Sequence, residues 1–177
     1  MFKTMVKFLP ETVSVVFEEI PDKITLMIEI TGCQNRCPGC HSPWLQQHIG
    51  EELTCKKLRE LIEKNKGVNC ILFSGEGNNF DELMHLAFEV KRIDSKLSTA
   101  LYSGRDTLGE DTSKAMAAFD YIKIGSYKVE FGPLNKETTN QKLYKVNREI
   151  VKEDKNFTET KVGVEDITSK FWKKKYD

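Results

Sequence analysis

The stretch "KITLMIEITGCQNRCPGC", residues 23–40, decides the reading of this chain. Its first half places Ile24, Leu26, Ile28 and Ile30 at alternate positions, the period of a strand. Its second half puts Cys33, Cys37 and Cys40 within eight residues. Pro38 and Gly39 exclude a helix there. A strand thus feeds directly into a loop bearing three thiols, with no fourth cysteine nearby.

Outward from that loop, strands and helices alternate. Residues 12–20, "TVSVVFEEI", read as a strand. Thr54 caps a helix that runs to about Lys64, with Leu58, Leu61 and Ile62 on one face. Residues 69–75, "NCILFSG", form a short buried strand ending in glycine. Residues 80–93 have helical spacing through Leu83, Leu86, Ala87 and Val90. Strands are expected at 97–104 and 121–127, with a helix at 112–119 between them. This β–α–β–α–β–α–β order implies an α/β fold with a parallel sheet and right-handed crossovers. Ligands gather at the carboxyl ends of such strands. Four loops should meet there: the cysteine loop, Ser74-Gly75-Glu76-Gly77, Tyr102-Ser103-Gly104 and Gly125-Ser126. Beyond residue 128 the pattern weakens. "KLYKVNREIV" and "TKVGVEDIT" read as added strands, and "DITSKFWKKKYD" as a short closing helix with Phe171 and Trp172 docked on the body.

Composition sets outer limits. The 177 residues suit one domain, 1–177, with a core at about 12–130 and a C-terminal extension at about 131–177. Hydrophobic residues are 39%, charged residues 31% and the formal net charge zero. That balance argues against a nucleic-acid partner. No apolar run approaches the roughly 18 residues of a membrane helix. The N-terminal stretch lacks a signal-peptide core, so a cytoplasmic protein is expected. Five cysteines make a poor disulfide framework. Cys70, inside an apolar run, reads as a core residue. Cys55, at a helix start, reads as incidental.

Three readings of the thiol loop remain open on spacing alone. A structural zinc site needs four ligands, and His41, adjoining Cys40, reaches the same ion awkwardly. An iron–sulfur cluster accepts thiolates at several corners from a short loop. With three of them, one iron stays free for a substrate. Coincidence is the third reading. Gly32 and Gly39 permit close backbone approach, which suits amide donors to cluster sulfur.

The C-x3-C-x2-C spacing after a strand resembles the signature of the radical S-adenosylmethionine enzymes. Cys33, Cys37 and Cys40 match it one for one. "GCQNRCPGCHSP" is more specifically similar to the activating proteins of anaerobic ribonucleoside-triphosphate reductase, and Gly39 replaces the aromatic residue usual elsewhere in the superfamily. "GPLNKETTNQKLY" (132–144), with Asn140 and Gln141, also resembles that branch. The resemblance covers about residues 24–144.

It implies a partial (incomplete) TIM-type barrel of parallel strands, the radical SAM fold. It implies a [4Fe–4S] cluster on the three cysteines and S-adenosylmethionine on the open iron. Reductive cleavage would give a 5′-deoxyadenosyl radical, which would install a glycyl radical on the large reductase subunit. A low-potential donor such as flavodoxin is the implied electron source. No catalytic side chain beyond cluster and S-adenosylmethionine is implied.

Gly39, Cys40 and His41 are candidate cofactor contacts. Ser74, Gly75 and Glu76 stand where the superfamily has Gly-Gly-Glu, with serine replacing the first glycine. Ser103 is a candidate for the ligand's carboxylate or ribose. Tyr102 should face the core, Lys123 an exposed edge, and Trp44 the core or the cluster loop. His48 and His85 read as surface residues. Rival functions are activation of another glycyl-radical enzyme, a small-molecule reaction on a deazaguanine precursor, or a non-enzymatic zinc-binding module.

Overall fold

The computed structural model describes residues 5–154 and 157–172. The lysines at 173–175, read above as part of a closing segment, lie outside the described residues. A small antiparallel pair joins β1 (Lys7–Phe8) to β4 (Glu51–Glu52). The main sheet holds β2 (Ser14–Val16), β3 (Thr25–Glu29), β5 (Cys70–Ser74), β6 (Ser98–Tyr102), β7 (Tyr121–Ile124), β8 (Lys142–Asp154) and β9 (Phe157–Asp166). They lie in the order β2-β3-β5-β6-β7-β8-β9. β3, β5, β6 and β7 are mutually parallel. β2, β8 and β9 join antiparallel.

The fold is therefore α/β with an open, mixed sheet of seven strands. The expected all-parallel arrangement holds for the central four strands, and the sheet does not close into a barrel. The expected strand at 12–20 contracts to Ser14–Val16 and runs antiparallel. At the sheet edge only one neighbour supplies ladder hydrogen bonds, and Phe17 past its end is 67% exposed. The two late strands form a long hairpin, and the closing helix is one 3-10 turn, Thr168–Phe171.

Helices α1 (Cys55–Lys64), α2 (Phe80–Ile93) and α3 (Thr112–Ala118) connect the parallel strands. The Thr54 side chain caps α1 by accepting from the Lys57 N–H, and Asn79 caps α2 by accepting from the Glu82 N–H. All three helices pack on one sheet face. Leu58, Ile62, Leu83, Leu86, Ala87, Val90 and Ala115 meet Leu26, Ile28, Ile71, Phe73, Leu101 and Ile122 there. Each large buried aliphatic contributes about 1.5–3 kcal/mol by its burial. The opposite face carries Cys70, Leu72, Ala100, Tyr121 and, from β8, Leu143, with Ile20, Ile167 and Phe171 packed against them. Both faces of the parallel strands are thus buried, which explains their near-continuous apolar runs.

The amino-terminal side of the sheet is locked by Asp120. Its carboxylate accepts from Lys91 Nζ at 2.6 Å, Arg148 Nη1 at 2.7 Å and the Thr99 N–H at 2.9 Å. Burial alone would raise its pKa, but these donors outweigh burial and hold it below the usual carboxylate value.

Candidate functional site

The register of the four parallel strands lines up Glu29, Ser74, Tyr102 and Lys123 in one row at their carboxyl ends. Equal register on parallel strands puts this row on the face away from the helices. The loops beyond it interlock. The Ile30 N–H donates to the Ser74 carbonyl, Gly75 to Tyr102, Ser103 to Lys123 and Gly125 to Arg105. The four expected loops do converge on one edge.

The cysteine loop is fixed at its start by backbone bonds from Gly32 to Gln47 and from Cys33 to Leu45, both 2.9 Å. The Thr31 hydroxyl donates to the Ile49 carbonyl at 2.7 Å. Two turns follow. Arg36 has φ 45° and Gly39 φ 70°, the left-handed region. Cys33, Cys37 and Cys40 are free thiols, each half-buried.

Two of the sulfurs accept hydrogen bonds. The Asn35 amide donates to Cys37 Sγ at 2.9 Å and to the Gly104 carbonyl at 2.6 Å. The Ser42 N–H donates to Cys40 Sγ at 3.4 Å. Asn35 thereby ties the thiol loop to the loop after β6. Gly104 makes that approach possible, because a Cβ there would meet the Asn35 amide nitrogen at 2.9 Å.

Two clefts flank the loop. One of about 200 Å³ is shared by Cys33, Asn35, Gly75, Glu76, Gly104 and Arg105. The other, about 710 Å³, is lined by Cys37, Gly39, Asp106, Ser126, Tyr127 and Lys128, among others. Of the candidate cofactor contacts, Gly75 and Glu76 line the smaller cleft and Gly39 the larger, while Cys40, His41, Ser74 and Ser103 line neither. Gly75 has φ 108°, and a Cβ there would meet the Ile30 carbonyl oxygen at 2.9 Å. Glu76 receives Arg105 Nε at 3.1 Å on one oxygen and 2.9 Å on the other. Ser103 is 1% exposed, and its oxygen accepts from the Arg105 N–H at 3.0 Å. The His41 ring meets Tyr127 edge-on at 4.5 Å.

Sequence reasoning missed Arg105. It pairs with Glu76 and Asp111 and lies 5.1 Å from the Phe80 ring centroid. Its position directly after the Ser-Gly turn was the available signal. Lys123, expected at an exposed edge, is 8% exposed. The antiparallel addition of β8 beside β7 removes the edge on which that expectation rested. Trp44 is 44% exposed instead of serving the core, a position that Leu45 takes. Tyr102 does face inward, donating its hydroxyl to the Glu19 carbonyl, and burial raises its pKa. Asn140 donates to the Ser126 carbonyl at 2.9 Å and Gln141 to Gly125 at 3.3 Å, so this pair braces the loop after β7.

The other cysteines lie elsewhere. Cys70 is in the inner-face core, and burial pushes its pKa up to about 12. Cys55 Sγ lies 3.6 Å from His85 Nε2 at the helix layer. Among the described residues, no trio of His, Cys, Asp or Glu converges closely enough to hold a single metal ion. A cluster of several irons takes thiolates at separate corners. Three free thiols on one loop, with amide donors aimed at two of them, are a donor set that fits such a group. No helix among the described residues is long and apolar enough to cross a membrane. No protein-family model, curated protein or solved structure matches the chain.

Proposed function

We propose that the chain is a radical S-adenosylmethionine enzyme that activates an anaerobic ribonucleoside-triphosphate reductase. The observation that carries this reading is the cleft shared by Cys33 and the Gly75-Glu76-Gly77 turn that follows Ser74. It joins the thiol loop to the turn that, by resemblance, receives the amino group of S-adenosylmethionine. Cys33, Cys37 and Cys40 would hold a [4Fe–4S] cluster, which with S-adenosylmethionine supplies a 5′-deoxyadenosyl radical when reduced. The chain's own residues position and shield. Asn35 and the Ser42 N–H donate to the ligating sulfurs, a lever on reduction potential. Arg105 holds Glu76, and Gly75 brings its turn against Ile30.

Helices on one sheet face alone, with the row Glu29, Ser74, Tyr102 and Lys123 on the other, suit an incomplete barrel with its ligand site at the carboxyl ends of the strands. An open sheet, short of a full barrel, suits a macromolecular substrate that approaches from the side. A low-potential electron donor such as flavodoxin would reduce the cluster, in a cytoplasmic setting.

The partner is tested by electron paramagnetic resonance. The reconstituted protein is incubated anaerobically with S-adenosylmethionine, reductant and candidate glycyl-radical enzymes. A glycyl radical is expected on the reductase. A radical on a formate-lyase alone would reassign the partner, and consumption of a deazaguanine precursor would reassign the substrate class.

A further inference from the structure

The two edges of the main sheet are unequal. β2 ends it on one side with three residues, and β9 ends it on the other with ten. An edge strand presents unpaired backbone groups, which short length, proline or a bulge ordinarily blunts. Residues 160–166 of β9 include no proline and are all exposed, with Val162 at 44% and Val164 at 52%. Among the described residues, no strand lies beyond β9.

The ladder decides which groups face that free edge. The Val146 N–H donates to the Asp120 carbonyl at 2.8 Å, so the even-numbered residues of β8 turn toward β7. The Ile167 N–H donates to the Leu143 carbonyl at 2.9 Å, so the odd-numbered ones turn toward β9. In β9 their partners are Lys161, Gly163 and Glu165, opposite Glu149, Asn147 and Lys145. Thr160, Val162, Val164 and Asp166 therefore point N–H and C=O outward. Val162 and Val164 share one face of the strand, and Lys161 and Glu165 share the other.

We propose that β9 pairs antiparallel with β9 of a second copy of this chain, about a two-fold axis at Gly163. Lys161 then faces the partner's Glu165, and Val162 faces the partner's Val164, each twice by symmetry. Opposite charges meet on one face and apolar side chains on the other. The four residues with outward backbone groups fall opposite one another, so the intermolecular ladder closes. Centring the pairing on Val162 or Val164 instead sets Lys161 against Gly163 or Ile167 and leaves the charges unmatched. Gly163 fits the axis, where antiparallel Cα atoms come within about 4.5 Å. Within one copy a Cβ at Gly163 would meet nothing within 4 Å, so the single chain supplies no steric reason for glycine there. This pairing does not rest on the proposed function.

Sedimentation velocity of the full chain tests it, from about 1 µM to about 1 mM, a span that covers weak association. A concentration-dependent dimer is expected. Val162→Pro should abolish the dimer, since proline removes an outward donor and spares the bonds between β8 and β9. Lys161→Glu sets acid against acid across the axis, and Glu165→Lys sets lysine against lysine. Each alone should raise the dissociation constant about tenfold or more. An equal mixture of these two variants should recover the dimer, because each then meets the opposite charge.

A wild-type monomer at every concentration would leave this edge to a strand of another protein and overturn the inference. A dimer that survives Val162→Pro and both charge reversals would place the contact elsewhere and overturn it as well. Loss of the dimer in both charge variants without recovery on mixing would overturn the register at Gly163. If circular dichroism shows that Val162→Pro does not fold, the charge variants and their mixture decide by the same criteria.

Discussion

Arg105 holds both carboxylate oxygens of Glu76 from a single nitrogen, Nε, at 3.1 and 2.9 Å. Its Nη1 meets Asp111 at 3.0 Å, so one guanidinium links the turn after β5 to the start of α3. Arg105→Met removes both links and keeps part of the packing on Phe80. Because the Arg105 side chain is 33% exposed, solvent screening limits the expected stability loss to about 1 kcal/mol. The larger expected effect is on ligand affinity, since Glu76 is no longer held beside Cys33. Urea unfolding and calorimetric titration with S-adenosylmethionine measure the two separately. A variant with unchanged affinity would remove Arg105 and the Glu76 turn from the site.

Gly104 and Gly75 make different demands. At Gly75 a side chain meets backbone at 2.9 Å and the φ is 108°, so Gly75→Ala should cost about 1–3 kcal/mol of stability. At Gly104 the obstructed atom is the Asn35 amide nitrogen, a side-chain atom that can move. Gly104→Ala should therefore fold with nearly normal stability and lose the Asn35 tether to Cys37. Faster iron release to a chelator is the expected sign. Equal stability losses in the two variants would contradict this distinction.

Asp120 gives a prediction for acid. Its folded pKa is depressed by Lys91, Thr99 and Arg148 against the opposing effect of burial. The stabilisation is therefore fully present above the unfolded-state value near ~4 and is lost as pH falls through the lower folded value. Urea midpoints taken from pH ~6 to pH ~2.5 should fall less steeply with acid in Asp120→Asn than in the parent. The variant should also be less stable at neutral pH, because Lys91 and Arg148 lose their anion. An unchanged acid slope would remove Asp120 from this role.

The cysteines divide into ligands and bystanders. Cys37→Ala should abolish cluster retention, since two thiolates hold a cube poorly. Cys55→Ser should leave iron and sulfide content unchanged, because that sulfur lies beside His85 in the helix layer. Iron and acid-labile sulfide analysis after anaerobic reconstitution checks both. Loss of cluster in Cys55→Ser would mean that the ligand set is misassigned.

Much of this was legible in the chain. The helix over residues 80–93 follows from Leu83, Leu86, Ala87 and Val90, all buried as the spacing requires. The strand at Cys70–Ser74 and the glycine after it locate the turn that meets Cys33. Direction was less legible: β2 has the residues of any strand, and its antiparallel pairing comes from a chain reversal before β3. Trp44 and Leu45 are adjacent apolar residues on a 3-10 turn, and the sequence does not say which one enters the core. Lys123 looked exposed because charge ordinarily implies solvent. Its burial follows from the later β8, whose pairing with β7 is a nonlocal event. Arg105 escaped notice because its partners, Glu76 and Asp111, come from different loops.

The most direct measurement is anaerobic reconstitution with iron and sulfide, followed by reduction in the presence of S-adenosylmethionine. The account predicts about four irons per chain, broad iron–sulfur absorbance, and release of methionine and 5′-deoxyadenosine that Cys33→Ala, Cys37→Ala and Cys40→Ala each abolish. Retention of a single zinc ion with no cleavage of S-adenosylmethionine would contradict it.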